Sequence, residues 1–425
     1  MDHESIVVTA KPVGERKIIS RKNGSSCSSS VPDEIVNDPA LNYQIKANLP
    51  DNYNFDIPRI IWKIRESGST RVALQFPEGL FIFSTAISTI IEQFTESTVF
   101  IIGDVTYGAC CIEDYLSSLA NCSLLIHFGH SCLIPFNNIV AGIKVLYVVV
   151  EIQFDYWNFV EMIKLNFDDQ KSQKIAIFGT IQFIDTVQKA VDELNHQEGY
   201  NLVVPQIRPL SRGEILGCTA PNLDRDISLV IFVADGRFHL EAVMIANPWI
   251  EKYYKYNPYD KSLTIENYDY IEMIDQRRKS ITKAIEVAKR GGTFGFILGT
   301  LGRQGSPKVM ENMINRLKKI APNCNHVNLL IPEIKPTLLK ELGTSVDIWV
   351  QTSCPRLSID WGDEFKERPL LNPYEFNLTM DSIIKNQLDV LREEEKSGYP
   401  MDFYASASLG NWTPIHRCNK TCSCK

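Results

Sequence analysis

Eleven cysteines punctuate a chain of 425 residues, and three of them follow apolar runs of the kind that form buried strands. The run Thr98 to Ile102 empties into Gly103-Asp104-Val105-Thr106-Tyr107-Gly108-Ala109-Cys110-Cys111. Cys218 closes the word Arg212-Gly213-Glu214-Ile215-Leu216-Gly217-Cys218, and Cys354 follows Val346 to Gln351 in Thr352-Ser353-Cys354-Pro355-Arg356. Open α/β sheets bind ligands in the crevice beyond the carboxyl ends of their strands, so thiols placed there are placed for chemistry. Three such thiolates could together hold a metal cluster. Taken singly, each has a plainer reading as a small buried hydrophobe, and Cys122 and Cys324 are left with it. Cys132, in His130-Ser131-Cys132, also follows a strand and is a weaker candidate for the same crevice. Cys111 adjoins Cys110, and adjacent side chains in extended backbone point to opposite faces. One of the pair should therefore face the site and the other the core.

Other motifs carry less. Gly299-Thr300-Leu301-Gly302-Arg303-Gln304-Gly305 lies between a strand and a helix, but its glycine spacing is not that of a dinucleotide-binding loop. It reads equally as an anion cradle at a helix N-terminus or as a tight turn that exploits glycine's freedom in φ. His239, in Asp235-Gly236-Arg237-Phe238-His239, suits acid–base work or a structural hydrogen bond. The tail, with His416 and Cys418-x3-Cys422-x-Cys424, matches neither the ferredoxin nor the usual zinc spacing, and reads as flexible with redox-labile thiols. No Walker A loop, zinc-protease helix or nucleophile elbow occurs.

Bulk composition excludes several classes. Hydrophobic residues make up 44% and charged residues 22%, an ordinary globular balance. A net charge of -7 argues against a general nucleic-acid binder, because phosphate backbones are held by clustered Lys and Arg. The N-terminus has no basic segment followed by an apolar core. Leu80 to Phe94, interrupted by Ser84, Thr85, Ser88, Thr89 and Glu92, falls short of the ~20 apolar residues of a spanning helix. A cytoplasmic protein is expected, with its cysteines reduced or bound to metal.

The elements that must position these thiols recur in sets. Strands are expected at Arg71 to Phe76, Thr98 to Val105, Ser123 to His127 and Ile143 to Glu151. A second set opens at Lys174 to Gly179, with a helix near Asp185 to Asn195 and strands at Asn201 to Val204 and Ser228 to Ala234. A third opens at Thr293 to Gly299, with a helix at Pro307 to Ile320 and strands at His326 to Ile331 and Asp347 to Gln351. Strands alternating with helices imply mostly parallel sheets flanked by helices. The expected fold is thus α/β, with three related α/β domains at 31–165, 166–290 and 291–395. A disordered head (1–30) precedes them and an aperiodic tail (396–425) follows; Lys283 to Lys289 reads as a connecting helix.

Several words, taken together and in order, resemble one known family. They are Tyr107-Gly108-Ala109-Cys110, Pro209 to Thr219, Asp235 to His239, Leu301-Gly302-Arg303-Gln304-Gly305 and Cys354 to Gly362. The chain from about Val31 to Tyr404 resembles the diphthamide synthase family, and within it the eukaryotic catalytic subunit. That resemblance implies three domains meeting around a central [4Fe–4S] cluster held by Cys110, Cys218 and Cys354, with the fourth iron left for S-adenosylmethionine. It implies transfer of the 3-amino-3-carboxypropyl group to a histidine of translation elongation factor 2 by radical chemistry. The implied partners are a homologous second subunit in a heterodimer, elongation factor 2 as substrate, and a small electron-donor protein. Arg303, Gln304 and Arg356 are expected to contact the cofactor, since an Arg fork suits a carboxylate. Two other readings are a non-catalytic partner subunit of the same complex and a zinc-stabilised α/β binding protein. The three cysteines in their family words favour the catalytic subunit.

Overall fold

The computed structural model describes residues 31–135, 138–342, 345–386, 391 and 394–415. The head at 1–30 and the tail residues His416, Cys418, Cys422 and Cys424 lie outside them. Three sheets flanked by helices make up a mixed α/β fold. A two-residue ribbon, β1 (Tyr53–Asn54) with β6 (Glu151–Ile152), ties the N-terminal extension to the segment leaving the first sheet.

The first sheet contains β2 (Arg71–Gln75), β3 (Thr98–Ile102), β4 (Leu124–Phe128) and β5 (Lys144–Val148). All four are parallel, in the order β3-β2-β4-β5. The second contains β7 (Lys174–Gly179), β8 (Asn201–Val203), β9 (Ile227–Val233), β10 (Lys252–Asn257) and β11 (Ser262–Glu266). Its order is β11-β10-β9-β7-β8, with β11 antiparallel to β10 and the other pairs parallel. The third is again all parallel: β13 (Asn325–Ile331), β12 (Thr293–Gly299), β14 (Ile348–Gln351) and β15 (Leu370–Leu371), in that order. Central strands such as β2, β4 and β9 are buried almost throughout, as parallel strands covered on both faces must be.

The sequence reading places the opening strands well and misjudges three features. The strand after Thr98 stops at Ile102, because the run from Gly103 has no partner in the sheet and turns. The β10–β11 hairpin is missed; its strands, Lys252–Asn257 and Ser262–Glu266, mix lysine, asparagine and glutamate with tyrosine and so lack an apolar run. The expected short connector around Lys283 is the end of a 21-residue helix, Tyr270–Arg290, started by the Asp269 side chain and stopped by Gly291 in the left-handed region (φ 78). Glycine is the residue that ends a helix this way without a Cβ clash.

That long helix joins the second and third sheets into one core. Ile274, Ile281 and Ile285 pack in a cluster shared by Phe232 of β9, Phe294 and Phe296 of β12, and Phe376. On the same helix Arg277 is almost wholly buried, at 1% exposure. It forks onto Glu375, Nε to Oε1 at 2.6 Å and Nη2 to Oε2 at 2.7 Å, and also donates to the carbonyls of Ser358 and Leu370. Glu375 is tied further by the Tyr399 hydroxyl and by the backbone N–H of Asn372, in a capping box that starts the helix Pro373–Lys385. Among the described residues no helix is long and apolar enough to cross a membrane.

A buried pair is costly to break because one charge is left without a partner. Arg277→Met is therefore expected to lower stability by about 3–5 kcal/mol, read as a lower midpoint in urea. The double variant Arg277→Met/Glu375→Leu should recover much of that loss; an equal loss in both would show that the stranded Glu375 charge is not what makes the single variant costly.

Candidate metal centre

Gln75, the last residue of β2, organises the loop that carries Cys110. It is fully buried, and its amide Nε2 donates to the Cys111 carbonyl (2.7 Å) and to Thr106 Oγ1 (3.2 Å). A carbonyl can only accept, so these bonds fix the amide orientation and leave Oε1 to accept from the Glu113 N–H (3.2 Å). Three points of a sharp turn are thereby pinned to one strand end.

The third sheet closes on this loop from outside. Gly302, in the left-handed region at φ 53, sits so tightly on the Cys111 backbone that a Cβ would overlap it. The next residue, Arg303, donates its N–H to the Cys110 carbonyl at 2.8 Å, and Gln304 Nε2 donates to Cys111 Sγ at 3.2 Å. Gly299 is pressed on Ser353, and Gly305 on the Gly299 backbone. Close backbone approach, which neither reading of this glycine loop named, accounts for its spacing. Cys354 follows β14 on the same side: its carbonyl accepts from Gln351 Nε2 (2.9 Å), and Ser353 beside it is buried.

Cys218 is held by a segment that the sequence reading dismissed as an aperiodic tail. Thr219 pairs with Asp402 as an antiparallel bridge, Ala220 donates to the Met401 carbonyl, and Phe403 donates to the Cys218 carbonyl. Tyr404 then donates its N–H to Thr219 Oγ1 at 3.1 Å. Its ring lies in one apolar cluster with Ala109, Ile112, Leu133, Leu210, Cys218 and Phe403, against which Cys110 and Cys354 also pack. Burial, and then the thiols of Cys110, Cys218, Cys354 and Cys111 around it, hold the Tyr404 hydroxyl well above the usual range. Nothing in the local pattern of 399–404 signals this role.

Three of the four thiols share one electrostatic condition, whereas Cys111 is held down at about 7 by its hydrogen bond with Cys110 and by those from Gly108, Tyr107 and Gln304. Burial pushes Cys218 up to about 11 and Cys354 up to about 12. Cys110 is raised well above its ordinary value by its hydrogen bond with Cys111, by burial, and by the thiols of Cys111, Cys218 and Cys354. Among the described residues no three His, Cys, Asp or Glu side chains converge closely enough to chelate a single metal ion. The three sequence-selected cysteines are nonetheless brought to one buried place from three strand-end loops.

Comparison with known proteins bears on what such a place does. Residues 76–389 match the family described as "Putative diphthamide synthesis protein". The chain belongs to this diphthamide synthesis family. It is 47% identical over 392 residues to 2-(3-amino-3-carboxypropyl)histidine synthase subunit 1 of Nematostella vectensis, covering 92% of this chain and 78% of that protein. To the protein of the same name from Homo sapiens it is 45% identical over 389 residues (92% and 83%), and to that from Schizosaccharomyces pombe 45% over 404 residues (93% and 87%). Among solved structures it resembles Dph2 from Pyrococcus horikoshii with a 4Fe-4S cluster, at TM-score 0.65 and 22% identity over 85% of this chain and 97% of that one. At that identity the likeness is one of fold.

In this diphthamide synthesis family member the two arginines expected to receive a cofactor carboxylate already hold carboxylates of the chain. Arg303 forks onto Asp114, Nε to Oδ1 at 2.9 Å and Nη2 to Oδ2 at 2.5 Å, and Nη1 reaches the Tyr115 hydroxyl. Arg356, at 2% exposure, bonds Asp360 through Nε (2.8 Å), Glu241 through Nη2 and the Phe238 carbonyl through Nη1 (2.9 Å). Both brace the cysteine loops. Cys132 stands beside Tyr147, whose ring packs on His127. Cys324 lies against the Ala288 carbonyl.

A row of imidazoles runs beside the thiols. His127 Nδ1 faces Gln75 Oε1 at 2.9 Å, which only accepts, so Nδ1 carries the hydrogen and Nε2 accepts from His130 Nδ1 at 3.0 Å. His239, the third of the row, has a buried Nδ1 with no protein partner among the described residues. Burial, followed by its neighbour His130, keeps His127 well below the ordinary 6.5; burial and then His239 hold His130 at about 4; burial and then Arg356 hold His239 at about 4. Groups whose folded value is depressed contribute stability that is intact above about 6.5 and lost as pH falls towards about 4. Thermal unfolding is therefore expected at temperatures several degrees lower at pH 4.5 than at pH 7, with a smaller drop in His130→Asn. A melting temperature flat across that range would contradict three buried neutral imidazoles.

Proposed function

We propose that this chain transfers the 3-amino-3-carboxypropyl group of S-adenosylmethionine to a histidine of translation elongation factor 2, the first step of diphthamide synthesis, in an iron–sulfur-dependent reaction. The observation that carries the reading is the convergence of Cys110, Cys218 and Cys354, each from the loop of a different sheet, in one apolar cluster. We read the three sheets as three domains that meet there.

The donor set fits an iron–sulfur cluster. Thiolates are its usual ligands, and thiols held up by burial ionise only when a bound group brings compensating charge. Cys110, Cys218 and Cys354 would hold the cluster; when bound, it supplies one-electron chemistry on a sulfonium that side chains cannot perform. The chain's own residues do the rest. Ile112, Leu133, Leu210, Phe403 and Tyr404 exclude water around the thiols. Gln304 donates to the Cys111 thiol and holds it in place, and the neighbouring Cys110 would be the one to ligate. Arg303 and Arg356 would lie close to the cofactor, and through Asp114, Asp360 and Glu241 they keep the loops at their spacing. The working assembly is a cytoplasmic heterodimer with a homologous second subunit, served by a small electron-donor protein.

Iron and acid-labile sulfide per chain, measured in anaerobically prepared protein, test the ligand set apart from turnover. Cys110→Ser, Cys218→Ser and Cys354→Ser are each expected to lose most of the bound iron and to abolish transfer of labelled carboxypropyl group. Cys111→Ser, Cys122→Ser and Cys324→Ser should retain both. Full iron content in the Cys354→Ser protein would remove the three-loop arrangement.

A further inference from the structure

The helix Asp114–Leu119, which follows the Cys110 loop, is built inside out. Its polar residues Asp114 and Ser117 are 0% and 1% exposed, whereas Tyr115, Leu116 and Leu119 are 57%, 39% and 80% exposed. The inward face is polar because it is a fastening. Asp114 takes the Arg303 fork and accepts the Val140 N–H at 2.7 Å, and Ser117 Oγ donates to the Glu113 carbonyl. Folding therefore fixes the apolar face outward, where a surface helix would ordinarily present its charged residues.

The same surface has a second anomaly in β3. This strand ends its sheet, pairing only with β2, and reads Thr-Val-Phe-Ile-Ile; it is blunted only in part, by Glu92 Oε1, which accepts the Val99 N–H at 2.9 Å, and by Arg71 over the Phe100 ring. Val99, Phe100 and Ile101 are half-buried. Natural edge strands are ordinarily blunted or covered, because an open apolar edge invites pairing. Val105 and Tyr107, at 43% and 67% exposure, lie on the loop between strand and helix. From Thr98 to Ala120 there is no Lys or Arg.

We propose that the outer face of the 114–119 helix, with the neighbouring edge of β3, is the seat of the second, non-identical subunit. This rests on the two-subunit reading above, which the name "subunit 1" of the relatives supports. The chemistry selects among occupants. A protein substrate must leave after each turnover, and interfaces of that kind are no more apolar than the rest of the surface; permanent ones resemble a core cut in half. The exposed Leu116 and Leu119 are of the permanent kind, beside Tyr115, over whose ring the Arg303 guanidinium lies at 4.0 Å. The seat is also fastened through Asp114 to Arg303, whose N–H holds the Cys110 carbonyl, so the companion would brace the first cysteine loop from behind.

The test is co-purification and affinity between this chain and the companion subunit of the same organism, using Leu116→Lys/Leu119→Lys, with Leu165→Lys and Ile271→Lys as exposed apolar controls elsewhere (65% and 62% exposed). The double variant is expected to bind the companion at least about tenfold more weakly, with an unchanged melting curve and iron content as an isolated chain; the controls should bind as wild type does. Hydrogen exchange on the unaltered protein gives a second readout that needs no variant: amides of 98–102 and 114–119 should slow on adding the companion. Wild-type affinity in the double variant, or unchanged exchange, overturns the seat. So does a double variant that keeps the companion but loses elongation factor 2, or loses only self-association. If the unaltered chain and companion form no complex at all, the two-subunit reading itself fails, and that arm reports it separately.

Discussion

A thiolate deprived of water is stable only where positive charge replaces it, and that constraint governs how this chain is built around Cys110, Cys218 and Cys354. Burial alone keeps Cys218 and Cys354 protonated near neutral pH. The guanidinium beside them, Arg356, is balanced by Asp360 and Glu241 within the chain. Charge to stabilise thiolates must therefore come with a bound group, and the pocket favours a group that brings much of it. The same desolvation keeps the adjacent imidazoles neutral.

Bringing three loops to one place imposes close backbone approach, and small residues are spent on it. Gly302 admits the Cys111 backbone, Gly217 admits the Phe238 ring and Gly299 admits Ser353. Such contacts tolerate little play, so the sheets behind them must hold still. The long helix with Arg277 and Glu375 at its centre provides that between the second and third sheets. The fork of Arg303 on Asp114 does the same between the third sheet and the first.

Much of this was legible in the chain. The opening strands at Arg71, Lys174 and Thr293 are continuous apolar runs, and Cys110 and Cys354 stand in the loops that follow β3 and β14, so local pattern and position agree there; Cys218 lies within the long loop between β8 and β9. What stayed hidden depends on partners distant in sequence. Gln75 looks like the polar end of a strand until Cys111, 36 residues later, supplies its acceptor. Tyr404 sits in a stretch with no periodicity because its order comes from the backbone of Cys218 and Thr219. Arg303 and Arg356 were recognised as near the site, but residue type alone does not reveal that Asp114, Asp360 and Glu241 occupy their forks. The glycine loop at 299–305 shows the same limit: spacing signals that backbone comes close without saying what it meets.

The strap at 399–404 places the completion of the site late in the life of the chain. Synthesis runs from the amino end, and the loops bearing Cys110, Cys218 and Cys354 all emerge before the residues that pair with Thr219 and carry Tyr404. The three sheets can form while the ribosome is still adding residues, with Cys218 on an unfastened loop and the thiols open to solvent. Closure of the thiol site is thus naturally ordered after translation of the fold, and in that interval the thiols are at their most accessible both to a group that binds them and to oxidation.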